Sequence, residues 1–159
     1  RDYRPIEGIG NTATHVGREN SPPSYGLGLE QQTISFINRY GKISQHSGLN
    51  WGNREGREAN QAYIPLKAET YNTDFFPKVT QHFTVCTDDG KTLICTRAQE
   101  NGKAIHTPHN NSLLGEYFRF RLNLPNGELI TMDHLINYGR TDITFYKIDE
   151  ENYFMDFSV

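Results

Sequence analysis

The stretch HFTVCTDDGKTLICTR, His82–Arg97, decides the fold class. Two runs rich in Val, Phe, Thr, Ile and Leu flank Asp89-Gly90. β-Branched and aromatic side chains suit a pleated, half-buried surface, and Asp-Gly supplies the positive φ angles of a two-residue type I′ turn. The segment therefore predicts an antiparallel hairpin centred on Asp89-Gly90. In that register Cys86 and Cys95 lie diagonally on one face, about 7 to 8 Å apart and at or beyond disulfide reach. Such spacing favours a reduced, intracellular setting.

Outward from the hairpin, TISFINRYGKIS (33–44) alternates as a strand with a bend at Tyr40-Gly41, and QAYIPL (61–66) reads as a short apolar strand. KAETYNTDFFP (67–77) reads as a short helix closed by Pro77. NNSLLGEYFRFRLNL (110–124) opens with helical spacing at Leu113, Leu114, Tyr117 and Phe118, and its second half alternates like a strand. ELITMDHLI (128–136) and TDITFYKI (141–148) supply two further strands around a turn-rich NYGRTD. About seven strands with short helices give a mainly β chain: an open antiparallel barrel or sandwich with helices plugging its ends. Residues 1–30, with NSPPSYGLG near their end, combine Pro, Gly, Ser and Asn without apolar periodicity and read as a linker or arm.

The 159 residues fit one domain that buries roughly 70% of its extended-chain surface. They begin at an arginine and hold no run of eighteen apolar residues and no signal-peptide pattern, so the expectation is an excised piece of a longer protein with no membrane association. The net charge of -3 argues against a uniformly basic nucleic-acid binder. Its distribution is uneven. Arg39, Lys42, Arg54, Arg57 and Lys67 face only Glu55 and Glu58 in their segment, whereas Asp149, Glu150, Glu151 and Asp156 crowd the last eleven residues without a base.

Two polar excursions interrupt the strand-like flanks: Ser47–Gln61, holding the single tryptophan, and Arg97–His106, with its own Asn-Gly turn. Both are rich in side chains that recognise base edges: Arg and Lys for guanine, Asn and Gln for adenine, Glu for the cytosine amino group. Polar residues continue into the strand ends at Gln45, His46, Ser47, Asn60 and Gln61, where a rigid sheet would hold them. Trp51 either packs under its loop with Leu49 or meets a ligand directly. Aromatic residues at strand positions, among them Phe36, Tyr63, Phe83, Phe118, Phe120 and Phe145, are assigned to the core.

Catalytic patterns are thin. Asp89-Gly90-Lys91 has the D-x-K spacing of metal-dependent nucleases, but turn geometry already explains it. His106 and His109 could complete a zinc site with Cys86 and Cys95, yet the Cys-x8-Cys spacing is not a metal knuckle and Pro108 separates the histidines from helical pairing. No H-x-K, G-x-S-x-G or glycine-rich phosphate loop occurs. The expectation is a non-catalytic chain without metal or cofactor. A small-ligand or protein-binding β-barrel, with Trp51 and the tyrosines lining a pocket, is the alternative to nucleic-acid recognition.

SGLNWGNREGREANQAYIPL (47–66) resembles the signature that follows the nuclease domain in NgoFVII-type restriction endonucleases. IPLKAETYNTDFFP (64–77) is similar to the strand-helix segment of the plant B-three DNA-binding pseudobarrel. Together the likeness spans residues 34 to 148. It implies a seven-stranded open pseudobarrel with two short helices at its ends over residues 31–159, gripping double-stranded DNA in the major groove with two arms. It also implies a parent bacterial, cytoplasmic enzyme whose phospholipase-D-like nuclease domain lies outside this chain, and raises a separate ATP-dependent helicase-like subunit as a partner. Carried onto the matching positions, Arg54 and Arg57 become guanine readers, Glu100 an acceptor from cytosine, and Asn50, Gln99 and Asn101 readers of adenine edges or backbone contacts. Lys42, Lys67 and Lys103 fall to phosphates. Gln45, Ser47, Trp51, Asn53, Asn60, Gln61, Arg97 and His106 complete the expected DNA-binding set.

Overall fold

A computed structural model describes residues 28–159. The segment 1–27, most of the expected linker, lies outside the described residues. Seven strands form one sheet in the order β1 (Gln31–Ser35), β6 (Asp142–Lys147), β7 (Asn152–Asp156), β3 (Phe83–Thr87), β4 (Thr92–Ala98), β5 (Ala104–His106) and β2 (Ile64–Pro65). The sheet curls into a nearly closed barrel with an unsealed seam between its edge strands, β1 and β2. All pairings are antiparallel except β3 with β7, which run parallel from Thr84↔Asn152 to Thr87↔Met155. Among the described residues the helices are α1 (Ala68–Tyr71), α2 (Leu113–Arg121) and α3 (Met132–Tyr138), with 3-10 turns at Gly48–Asn53 and Glu100–Gly102. Among the described residues, no helix is long and apolar enough to cross a membrane.

The alternation of each strand fixes its inner face. Phe83 and Val85 of β3, Leu93 and Cys95 of β4, Ile143 and Phe145 of β6, and Tyr153 and Met155 of β7 are all buried in one core. Phe75 and Phe76, following α1, cover the end where β3 and β7 begin: Phe76 stacks on Phe83 at 5.6 Å, and the Tyr153 hydroxyl donates to the Phe75 carbonyl. Helix α2 covers the other end with Leu114, Tyr117 and Phe118; the Phe118 ring meets Phe36 and Phe157 edge-on at 5.2 and 5.3 Å. Each such aromatic contributes about 1.5 to 3 kcal/mol by burial.

The predicted hairpin forms, but its turn is one residue longer than expected. Thr87 N–H donates to the Lys91 carbonyl at 2.9 Å and Gly90 N–H to the Thr87 carbonyl at 3.0 Å, leaving Asp88-Asp89-Gly90 as the loop, with Gly90 at φ 84°. This is the three-residue, bulged type of hairpin connection. Tertiary capture of Asp88 explains the change: its carboxylate accepts from Phe157 N–H at 2.7 Å and from Arg121 at 2.8 and 3.0 Å. A one-residue slip reverses which face a side chain occupies. Cys86 therefore pairs with Thr92, and Cys95 with Phe83, on opposite faces. Both thiols are free and buried, and burial pushes the Cys95 thiol up to about 12.

Two expected strands are helical. Residues 113–121 continue as α2 through the portion that alternates. Residues 132–138 form α3, started by Thr131, whose hydroxyl accepts from His134 N–H while His134 Nδ1 accepts from Thr131 N–H, and ended by Gly139 at φ 110°. The strand count of seven is reached instead through β5 and through β7, which lies within the acidic terminal stretch.

Candidate nucleic-acid interface

From Gln61 to Lys67 the chain alternates: Ala62, Ile64 and Leu66 are buried, while Gln61, Tyr63, Pro65 and Lys67 face outward. Register carries this outer face across β5 and β4, where Thr96 opposes His106 and Ala98 opposes Ala104. On this side Pro65 is exposed and Ala98 and His106 are half-buried, while Thr96 and Ala104 are covered. At one end the chain arrives from the Ser47–Gln61 arm; at the other the β4–β5 loop, residues 99–103, departs. The three residues of β5 lie between them.

The first arm is held by tight backbone approach. A Cβ on Gly52 would sit 2.2 Å from the Glu58 carbonyl oxygen, and Gly52 N–H donates to the Gln61 carbonyl at 2.8 Å. On the other side, a Cβ on Gly115 of α2 would lie 1.8 Å from the Asn60 carbonyl oxygen, so helix and arm touch backbone to backbone. Asn50 is the arm's internal brace. Fully buried, it donates to the carbonyls of Ser44 (2.9 Å) and Ile130 (2.8 Å) and accepts from Ile130 N–H (2.9 Å). Beside it Arg119, 1% exposed, donates to the carbonyls of Glu128 and Gly115, and burial lowers its proton affinity.

Outside, the Arg57 guanidinium lies 3.7 Å from the centre of the Trp51 ring and donates to Gln61 Oε1 at 2.9 Å. Trp51 in turn meets Tyr63 edge-on at 5.5 Å. Arg57, Trp51, Gln61 and Tyr63 form one half-exposed tier on the outer face. Tyr63 is therefore not a core aromatic, and Phe120 is only partly buried; Phe36, Phe83, Phe118 and Phe145 are core. Leu49, 3% exposed, packs inside without Trp51. Arg54 Nε donates to the His46 carbonyl at 2.8 Å and Asn53 Nδ2 to the Gln45 carbonyl at 2.9 Å, placing both exposed side chains beside the Gln45–Ser47 stretch. Asn60 turns away toward α2 and accepts from Gly127 N–H at 2.7 Å.

The second arm is braced by Arg97. Its inward guanidinium donates to the carbonyls of Gly102 (3.0 Å), Tyr71 (2.7 Å), Pro77 (3.3 Å) and Asn101 (3.3 Å), and its pKa is lowered by burial. Gln99 and Asn101 hold φ at 68° and 62°, a backbone region that side chains other than glycine adopt at a cost. The outcome is a rigid loop with Gln99, Glu100, Asn101 and Lys103 exposed. Asn50 and Arg97, expected at the DNA, are thus internal braces, while the other residues of the expected set lie outside the core. Lys67 and Ser47 border a cleft of about 440 Å³ at the seam, lined also by Phe36, Tyr40 and Leu49.

Charge follows the same division. The outward positions of β2, β5 and β4 carry no carboxylate; on β6 and β7 Asp142 and the buried Asp156 are paired with Arg140, and Asp149, Glu150 and Glu151 form the β6–β7 turn. Asp89, from the D-x-K spacing, accepts from Thr87, Tyr117 and Arg121. Tyr63 joins the Arg57–Trp51 tier although it stands outside the expected set, its outward side visible in the alternation of 61–67, and His82 and His109 are brought together only by folding.

The model of one family, the NgoFVII C-terminal B3-like DNA-binding domain, matches residues 24–149. The chain belongs to that family. The B3-like domain is a DNA-binding domain of a restriction endonuclease, and its barrel agrees with that assignment. No curated protein matches the chain. The matched span stops short of β7, an interior strand of the sheet between β6 and β3, so the barrel extends beyond it.

Proposed function

We propose that the B3-like domain reads a short sequence in double-stranded DNA through the major groove, its two arms entering on either side of the β2–β5–β4 floor. The observation that carries this reading is the pair of braced polar arms at opposite ends of one carboxylate-free strip. A major groove is about 12 Å wide and admits elements as broad as a helix or a two-stranded ribbon. A small, partly exposed floor residue such as Ala98 lets the duplex approach the sheet. Arg57, stacked on Trp51, is the leading candidate for a bidentate guanine contact, because its guanidinium is held in plane before DNA arrives. Arg54, Asn53, Gln99, Glu100 and Asn101 read or abut the remaining edges. Lys42, Lys67 and Lys103 neutralise phosphates and set register.

Cleavage, in this reading, belongs to a phospholipase-D-like nuclease domain of the parent enzyme, with the B3-like domain as its targeting half in a bacterial cytoplasm. A helicase-like ATP-dependent subunit is a further partner in the same proposal. The test is selection of bound duplexes from a random library with the purified domain. One enriched motif is expected, with log affinity falling against log salt by about 0.9 per phosphate neutralised. Recovery of unenriched sequence, or a salt slope near zero, would refute it.

A further inference from the structure

The outer floor does not stop at β4. Phe83 pairs with Cys95, so the next position outward along β3 sets His82 opposite Thr96, whose other neighbour is His106 on β5. From the loop after β5, His109 folds back onto His82, with ring centres 5.2 Å apart and planes within 16° of parallel. His82 and His109 are exposed and His106 is half-buried, so three imidazoles surround one threonine on the face that the two arms flank.

We propose that the stacked His82–His109 pair is a third DNA-contacting element, which meets the phosphate backbone beside the two arms and takes up protons as it does so. The inference rests on the reading of the strip as the DNA-facing surface. An imidazole is the side chain whose charge changes between pH 5 and 8, and two rings stacked face to face repel each other once both are protonated. A phosphate placed over the pair relieves that repulsion and stabilises both cations. Burial lowers the proton affinity of His106.

Charged residues stand on the elements around the pair. The β6–β7 turn brings Glu150 and Glu151 beside the start of β3, where the Glu151 carbonyl accepts from Thr84 N–H at 2.8 Å. Glu150 Oε1 lies 3.7 Å from Lys147 Nζ. Lys78 precedes the strand in the turn before it, and Glu58 sits at the far side of the His109 loop, accepting from Ser112 Oγ at 3.4 Å. The glutamates place the pair at the border between the acidic turn and the carboxylate-free strip. A phosphate on the strip side favours the protonated rings, so affinity must rise as pH falls through the histidine range.

The test measures dissociation constants for a duplex selected from a random library and for a scrambled duplex, at pH 6.0 and 8.0, with the parent domain, H82Q/H109Q and R57Q. The parent should bind both duplexes about tenfold more tightly at pH 6.0, with a salt slope about one phosphate steeper. The double variant should lose that difference while matching the parent within about twofold at pH 8.0. R57Q should keep the pH difference and lose discrimination between the duplexes. A parent whose affinity is flat with pH, or a double variant that retains the full difference, overturns the proposal. Retained discrimination in R57Q sinks the assignment of Arg57 instead, so the two failures are distinct.

Discussion

Asn50→Ala separates a brace from a base reader. The side chain makes three well-formed buried hydrogen bonds, at 2.8 to 2.9 Å, to Ser44 and to both main-chain groups of Ile130. Each contributes roughly 1 kcal/mol net, and truncation leaves the Ile130 N–H and C=O without partners in a site that water does not reach, so the expected loss is about 3 to 4 kcal/mol. For a domain of this size that corresponds to a fall in Tm of roughly 10 to 15 °C. Urea unfolding at constant m-value measures it directly. At a temperature where the variant remains folded, binding to a cognate and to a scrambled duplex should weaken together, because the whole arm loosens. If Asn50→Ala unfolds within about 0.5 kcal/mol of the parent and yet loses only cognate affinity, the side chain reads DNA and the bracing argument is wrong.

Arg57→Ala should cost about 1 to 3 kcal/mol at the cognate site and little elsewhere, as measured by competition gel shift; equal losses on both duplexes would remove the arginine from sequence reading. Gly115→Ala gains about 1 kcal/mol of helix propensity but places a methyl 1.8 Å from the Asn60 carbonyl oxygen, so a net loss of about 2 kcal/mol with weakened DNA binding is expected by urea titration and gel shift. A stabilised variant would show that helix and arm are not in backbone contact. Cys95 has a folded pKa near 12 against 9.0 for a free thiol, so its contribution is fully present below pH 9 and lost as pH rises toward 12. The parent's stability advantage over Cys95→Ala should therefore shrink by about 2 kcal/mol between pH 8 and 10.5, and a constant gap would contradict a buried, neutral thiol.

The parts of the fold governed by local pattern were legible in the sequence. β-Rich runs on both sides of Asp89-Gly90 made a hairpin whatever their tertiary neighbours, and the two polar excursions stood out because strands bounded them. The register of the turn was not legible, because Asp88 is drawn out of the ladder by Arg121 and Phe157, residues far along the chain. Residues 128–136 alternate as a strand would, yet the reciprocal Thr131–His134 cap starts a helix there; a histidine in place of the usual Glu or Gln hid the signal. At the interface, composition located the arms but could not tell inward from outward. Asn50 and Arg97 belong to types suited to base edges, and only packing shows that they face main-chain carbonyls instead.

The position of β7 has a consequence for biosynthesis. It joins β6 on one side and β3 on the other, so that β1–β6 and β3–β4–β5–β2 remain two separate ribbons until residues 152–156 emerge from the ribosome. The keystone of the barrel is translated after every stone it locks. A nascent chain stalled at residue 149 would carry both prongs and yet have no frame to aim them.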